Sequence, residues 1–207
     1  MVLRKLLKYF PRKIRNFLLK FLDLPERVDV QKKEIEDIKL LLVKQAYDSS
    51  INIQKKEPNL NKRELKIYSQ HGEDGIILYI FSQIGMKNGT FVEFGIEDGR
   101  ECNTANLSVN FGWNGLLMEI DPRYVKQAQA YYTDLLKDRA SDVKIIECKV
   151  TMENINQVLV ENEMEGEIDL LSIDIDGNDY WVWKAINVIN PRLVVIEYNA
   201  TFMPFSS

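Results

Sequence analysis

The sequence predicts an α/β fold built on a doubly wound parallel sheet. From residue 68 onward, short runs of Val, Ile, Leu and Phe alternate with segments of helical periodicity. Continuous apolar runs are typical of parallel strands buried on both faces, with the intervening helices covering the sheet. The hydrophobic fraction of 45% and the charged fraction of 28% are those of an ordinary globular protein. No apolar run reaches the about 18 residues that a membrane-spanning helix needs.

The predicted elements alternate along the second part of the chain. In chain order they are a helix over 73–84, strands over 90–94, 116–120, 143–148, 168–173 and 193–197, and helices after Pro122 and over 151–163 and 179–189. Pro122 suits the first turn of a helix, and Thr151 is a typical capping residue. Only residues 198–207 follow the fifth strand, whereas a sixth strand with its crossover needs about 30 residues. We therefore expect a Rossmann-like sheet that is incomplete at its C-terminus.

Two segments precede the α/β domain, which we assign to residues 67–207. Residues 1–24 form a basic amphipathic segment, because on a helical wheel nine apolar side chains fall on one face and seven basic side chains on the other. Its apolar face suits either an anionic membrane surface, contacted through residues 1–22, or the body of the protein or a partner helix. Residues 25–66 contain a short heptad pattern and a polar linker, which weakly favour a coiled coil and a homo-oligomer.

Charge and cysteine content exclude several classes of protein. The first twenty residues carry seven basic side chains and no acid, so a net charge of −4 leaves −11 for the remainder. An acidic body does not suit nucleic-acid binding, which needs a basic face. The two cysteines, Cys102 and Cys148, make no disulfide framework and have no activating partner, which favours unreactive thiols and a cytoplasmic protein.

The strongest local motif is the turn after the first strand. The strand ends in Glu93 and enters a turn with Gly95 and Gly99, followed by Asn103 and Thr104, which are good helix-capping residues. In doubly wound sheets, ligands bind beyond the carboxyl ends of the strands, and glycine lets the backbone approach a ligand closely. An acid beside such a turn suits an ammonium group. The alternative is an ordinary strand-to-helix turn.

A second acid ends the next strand. Glu119 follows Gly99 by 20 residues, the spacing at which nucleoside-binding α/β folds place the acid that binds the ribose hydroxyls. The alternative is a solvated acid at a strand end. The turn lacks the GxGxxG spacing, which disfavours a nicotinamide-dependent oxidoreductase.

Several blocks, in this order, resemble the FkbM-like group of S-adenosylmethionine (SAM) dependent methyltransferases over about residues 68–202. They are Tyr68–Gly75, Glu93–Gly99, Asn103–Thr104, Gly112–Gly115, Glu119, Asp169–Asp179 and Glu197–Asn199. The resemblance implies a class I methyltransferase fold, SAM as the methyl donor, and acceptors that are hydroxyl groups of sugars, polyketides or other secondary metabolites. The turn departs from the common methyltransferase pattern at Glu97, where a third glycine usually stands.

Carried over residue by residue, the resemblance implies a SAM site of seven residues. They are Glu93, Gly95, Asp98 and Gly99 near the methionine end, Glu119 at the ribose, and Cys148 and Lys149 near adenine. It further implies that the end of the fourth strand lies beside the transferred methyl group.

Asp174 and Asp176, at the end of the fourth strand, are the main catalytic candidates. A carboxylate there is suited to take the proton of an acceptor hydroxyl as a general base. His71 is a second candidate base, with a surface or capping role as its alternative. Asp174 and Asp176, together with Glu197 and Asn199, are instead suited to hold a divalent cation through oxygen ligands. For Asp176 the alternative is a simple turn.

These observations predict a SAM-dependent O-methyltransferase that acts on a small molecule or saccharide. The alternative is a truncated, inactive remnant of this fold or an interaction module, since the predicted sheet is incomplete. Trp113, Trp181 and Trp183 are predicted to be core residues, as aromatic side chains of such a domain usually are.

Overall fold

The computed structural model describes residues 59–197, which divide into a short unit ending at Met86 and a larger unit beginning at Lys87. The predictions for residues 1–24, for the heptad pattern and for Asn199 lie outside the described residues. Within residues 59–197, no helix combines the length and apolar character needed to cross a membrane.

The short unit contains a 3₁₀ helix over Leu60–Arg63 and a helix α1 over Glu73–Ile84, which confirms the predicted bounds of that helix. A buried carboxylate holds the segment before α1 in place. Asp74 accepts hydrogen bonds from the backbone N–H groups of Ile67, Tyr68 and Ser69 at 2.7–2.9 Å and from the Ser69 hydroxyl. Three N–H donors on one carboxylate fix this loop against the first turn of α1.

Over residues 87–197 the larger unit alternates five strands with four α-helices, and a 3₁₀ helix over Lys137–Asp142 precedes the third strand. In chain order these are β1 (Thr90–Phe94), α2 (Ala105–Phe111), β2 (Asn114–Glu119), α3 (Pro122–Leu136), β3 (Val143–Glu147), α4 (Ile155–Glu161), β4 (Gly166–Ile173), α5 (Asp179–Ala185) and β5 (Ile189–Ile196). All pairings are parallel, in the order β3-β2-β1-β4-β5. The predicted parallel α/β fold is confirmed. In this order successive strands are added on one side of β1 as far as β3 and on its other side from β4 to β5. Doubly wound folds bind ligands at the point where the order of the strands switches sides.

The core lies along the central strands. Val92 and Phe94 of β1 are fully buried, in one apolar cluster with Ile155 and Leu159 of α4 and Val182 of α5. Because side chains alternate along a strand, Phe91 and Glu93 point to the opposite face. Burial of both faces explains why β1 carries apolar residues on each of them.

A second buried carboxylate anchors the loop that enters β1. Asp169 of β4 is fully buried and accepts hydrogen bonds from the backbone N–H groups of Lys87, Asn88 and Gly89. The guanidinium of Arg192, on β5, lies 2.6 Å from the same carboxylate. Asp169 thus has a structural role at the start of β1, away from the carboxyl ends of the strands.

Two helices differ from their predicted bounds. α4 begins at Ile155 and not at residue 151, because residues 151–154 form a turn in which the backbone N–H of Thr151 donates to Asn154 Oδ1. α5 ends at Ala185 because β5 begins at Ile189, pairing with the start of β4.

The core prediction is confirmed for Trp113, which is 1% exposed, but is wrong for Trp181 and Trp183, which are 52% and 41% exposed. The physical reason is the position of α5. This helix buries Val182 against the sheet, and the two indoles project from its other sides.

Candidate active site

Gly95 brings the turn after β1 against the end of β4. Its φ is +82°, a left-handed conformation, and its N–H donates to the Met118 carbonyl of β2. A Cβ at this position would lie 1.4 Å from the carbonyl oxygen of Asp174, so only glycine fits. The N–H of Asp174 in turn donates to the Phe94 carbonyl. Residue 174 therefore lies directly beside the turn.

Gly99 closes the same turn against helix α3. Its φ is +79°, and an added Cβ would lie 3.0 Å from the Tyr132 ring and 3.1 Å from the Ala128 side chain. Both predicted glycines are therefore explained by contacts within the protein. Their contact with SAM stays a prediction.

Glu97 takes the backbone conformation that a glycine would take. Its φ is +49°, and its N–H donates to Glu119 Oε2 at 2.8 Å. The departure from the family's glycine pattern is thus accommodated by a strained but hydrogen-bonded residue, at an expected cost of about 1–2 kcal/mol. Its exposed side chain projects into solvent.

Glu93 is buried and fully satisfied by protein donors. Its Oε1 accepts from the Asn103 N–H and the Ser172 hydroxyl, and its Oε2 accepts from both the N–H and the hydroxyl of Thr104. A carboxylate offers about four acceptor positions, so all are in use. Burial raises the pKa of Glu93, and the hydrogen bonds from Thr104 and Asn103 oppose that rise. Its observed role is to hold the segment that leads into α2; its predicted contact with SAM stays a prediction.

Glu119 is also buried but retains an open acceptor position. Its Oε1 accepts from the N–H groups of Ile120 and Asp121, and the N–H of Glu97 is the only donor to its Oε2 among residues 59–197. Three of the about four acceptor positions of this carboxylate are therefore occupied, and one position on Oε2 is open. Because Glu93 pairs with Leu117 in the sheet register, alternation places Glu119 on the same sheet face as Glu93.

The remaining predicted SAM residues surround these strand ends. Asp98 is half-buried and forms an ion pair with Arg100 at 3.0 Å. The N–H of Cys148 donates to the Glu119 carbonyl, which places the end of β3 beside the end of β2. The Lys149 side chain is exposed. The structure thus brings the residues that follow β1, β2 and β3 to one edge of the sheet.

Three acids gather at the neighbouring strand ends. Asp174, Asp176 and Glu197 are exposed, and one carboxylate oxygen of each lies within 4.8 Å of the others. Burial and the Glu197 carboxylate, together with Asp179 and Asp176, raise the pKa of Asp174 to about 6. This arrangement is suited to accept protons or hydrogen bonds, or to hold a hard cation.

The predicted turn at Asp176 is present. Asp176 and Gly177 have φ of +55° and +105°, and Asp179 accepts from the N–H groups of Ile175 and Gly177. Asp176 is thus both a turn residue and a member of the acidic group.

His71 belongs to the short unit. Its side chain is exposed, and its N–H donates to Glu73 at 2.9 Å. Its catalytic role stays a prediction.

Sequence reasoning missed two features of this edge. Ser172 links β4 to Glu93 and accepts from the Asn103 side chain; a polar residue inside a buried strand was the available signal. Ile120 is 55% exposed directly after Glu119, and an apolar residue that ends a strand gives no comparable signal.

Cys102 lies behind the turn and is unsuited to chemistry. It is 3% exposed, and burial together with the Glu93 carboxylate raises the pKa of its thiol well above the ordinary value. Burial also raises the pKa of the half-buried Cys148. Thiolates are therefore disfavoured at both positions, as the sequence predicted.

Comparison with known proteins gives a family. No curated protein sequence matches the chain. A crystal structure of a SAM-dependent methyltransferase from Thiobacillus denitrificans, in complex with S-adenosyl-L-homocysteine, is similar over 60% of this chain and 44% of that chain, with 13% identity and a TM-score of 0.35. This chain thus spans less than half of that relative. The methyltransferase FkbM domain matches residues 44–206, most of the sequence, and the chain belongs to that family.

Proposed function

We propose that this protein transfers a methyl group from SAM to a hydroxyl oxygen of a sugar or other secondary metabolite. The observation that carries the proposal is the contact between Gly95 and the backbone of Asp174. Through this contact Asp174, the best candidate base, lies beside the turn after β1. The family resemblance assigns that turn to the methionine end of SAM. Positioning of this kind supplies much of the rate enhancement of a group transfer.

The strand ends fit SAM in two respects. The open acceptor position of Glu119 suits a ribose hydroxyl, and the exposed side chain of Ile120 suits the apolar face of adenine. Glu93 supports the site indirectly, because its four protein donors hold the segment after the turn. When bound, SAM supplies an electrophilic methyl group.

Asp174 is suited to accept the proton of the acceptor hydroxyl. When the hydroxyl oxygen forms its bond to the methyl carbon, the bond from that carbon to the sulfonium sulfur of SAM would break and S-adenosylhomocysteine would leave. The proton of the hydroxyl group would pass to the Asp174 carboxylate. A pKa of about 6 makes Asp174 a stronger base than an ordinary aspartate while leaving it largely ionised at neutral pH. The nearby Asp176 and Glu197 carboxylates favour neutral or cationic acceptors over anionic ones.

The test is transfer of radiolabelled methyl groups from SAM to a panel of neutral sugars, with wild-type protein and the Asp174→Asn variant. We expect wild-type activity to rise with pH through about 6, where Asp174 loses its proton, and Asp174→Asn to lose about 10²–10⁴-fold in kcat. Equal activity of the two proteins, or no transfer to any acceptor by a chain that binds SAM, would refute the proposal.

Asp174, Asp176 and Glu197 are also suited to bind a divalent cation. Dialysis against EDTA distinguishes cation binding from a role of Asp174 as a base alone. If Asp174 acts as a base alone, activity survives dialysis; if Asp174, Asp176 and Glu197 hold a divalent cation, activity disappears and returns when Mg²⁺ is added.

A further inference from the structure

The proposed chemistry gives no role to the exposed aromatic side chains at the start of α5. Tyr180 and Trp181 are 53% and 52% exposed, and both lie in the first turn of this helix. We infer that these two side chains, the α5 ring pair, bind the methyl acceptor, and that the acceptor is a saccharide whose ring stacks on them. The inference rests on the proposed function, because it adds acceptor-binding residues to the site where Asp174 is the candidate base.

The turn before α5 places the ring pair beside the candidate base. Asp179, the first residue of α5, accepts hydrogen bonds from the N–H groups of Ile175 and Gly177 at 2.8 and 2.9 Å. These bonds hold the start of the helix against the residues that follow Asp174. Helical side chains lean towards the N-terminus of their helix, so both rings lean towards this turn. The ring pair therefore borders the part of the strand-end edge that carries Asp174.

The two rings meet at a steep angle and form a corner. Their centroids are 5.1 Å apart, and their planes are inclined by 74°. The Lys184 ammonium lies 5.9 Å from the Tyr180 ring centroid and 5.5 Å from the Trp181 ring centroid. Because Lys184 follows the rings by four and three residues, it reaches them from the side away from the turn. These contacts stabilise the position of both rings, so that a flat ligand can lie on one ring with its edge against the other.

A sugar ring is suited to such a surface. It carries C–H groups on its faces and hydroxyl groups at its edge, so one face can stack on an aromatic ring while the hydroxyls reach polar groups. The faces of Tyr and Trp rings carry partial negative charge, which attracts C–H hydrogens. Binding sites for small molecules combine aromatic walls with a few polar groups in the same way. At the adjoining strand ends, the Asp174 carboxylate is suited to accept a hydrogen bond from a sugar hydroxyl.

Trp183 provides a matched control within the same helix. It is 41% exposed, and it follows Trp181 by two residues, a rotation of about 200° around the helix axis. The two indoles therefore project from nearly opposite sides of α5. Replacing either indole by Ala removes the same side chain and leaves the net charge unchanged. The two variants thus differ in which side of the helix has changed.

The first test measures transfer kinetics with the best acceptor among the neutral sugars. We expect Trp181→Ala to raise the acceptor KM at least about tenfold while kcat and the KM for SAM stay within about twofold of wild type, because stacking contributes equally before and during methyl transfer. Trp181→Phe, which keeps an aromatic face, should recover most of the affinity, and Trp183→Ala should behave as wild type. An unchanged acceptor KM in Trp181→Ala, or an equal rise in both Ala variants, would overturn the inference.

The second test does not depend on methyl transfer. The tryptophans of the chain are Trp113, Trp181 and Trp183, and Trp113 is 1% exposed. In a Trp183→Phe variant, a saturable change of emission on adding a sugar therefore reports on Trp181. We expect such a change with at least one neutral sugar of the panel, and none with glucitol, which has hydroxyl groups but no ring. No change with any sugar, or the same change with glucitol, would contradict stacking.

The two tests together distinguish failure of the inference from failure of the proposed function. If sugars change the emission of Trp181 but receive no methyl group, the ring pair is a saccharide site and the proposed function is wrong. If sugars are methylated with the same KM by wild type and Trp181→Ala, the proposed function stands and the inference is wrong. Sedimentation velocity tests one other occupant: self-association of wild type that Trp181→Ala abolishes would assign the ring pair to a contact between copies of the chain and overturn the inference.

Discussion

Replacing Asp174 by Asn is predicted to stabilise the protein while it removes the proposed base. The pKa of this carboxyl is raised from 3.8 to about 6, chiefly by its partial burial and by Glu197. A raised pKa means that ionisation is less favourable in the folded than in the unfolded chain. The folded state is therefore favoured by this group below pH 3.8, and that advantage is lost as pH rises through about 6. The full shift corresponds to about 3 kcal/mol, and because Asp174 is exposed we reduce this to about 1 kcal/mol.

Urea unfolding of both proteins between pH 4 and pH 8 measures this effect. We expect nearly equal free energies of unfolding at about pH 4, and an advantage of about 1 kcal/mol for Asp174→Asn that grows towards pH 6 and levels off above it. Asp134→Asn, a change at an exposed acid of α3, is the control and should show no such pH dependence. A variant less stable than wild type at pH 8 would refute the reasoning, since it would show that the ionised carboxylate stabilises the fold.

Three further predictions concern the turn after β1 and its supports. Gly95→Ala should cost at least about 3 kcal/mol in the free energy of unfolding, because the new methyl group meets the backbone carbonyl at the end of β4; urea unfolding measures this, and a loss below about 1 kcal/mol would contradict the geometry. Glu93→Gln should cost about 2 kcal/mol, since an amide group would face donors from Asn103 or Thr104; a thermal melt unchanged from wild type would be inconsistent with that network. Cys102 should not react with a thiol reagent at pH 8 until the protein unfolds, and rapid labelling of two thiols per folded chain would show that the site is open.

The order of the strands and helices could be predicted from the sequence because a strand buried on both faces carries apolar residues on both faces, which appears as a short apolar run. β1 has three apolar residues among its five, with Val92 and Phe94 on one face and Phe91 on the other, and its predicted bounds are those observed. Boundaries that depend on competing contacts could not be predicted. The end of α5 is set by the pairing of β5 with β4, and neither residue 185 nor residue 186 carries a stop signal in the sequence.

The candidate site was predictable as a location but only partly as a set of contacts. Acids and glycines after strands indicate the ligand-binding edge, and the structure brings the residues after β1, β2, β3 and β4 together there. Whether a carboxylate is free depends on which donors the fold brings to it. Four donors reach Glu93, whereas Glu119 keeps one open acceptor, and the sequence shows the two as equivalent strand-ending acids. The exposure of Trp181 likewise depends on which side of α5 faces the sheet.

Titration calorimetry with S-adenosylhomocysteine tests most directly whether a nucleoside is held at these strand ends. Wild-type protein should bind one equivalent, and Glu119→Gln, which leaves an amide where the open acceptor stood, should bind at least about tenfold more weakly. A folded wild-type chain that gives no binding heat, or a Glu119→Gln variant with undiminished affinity, would contradict the account.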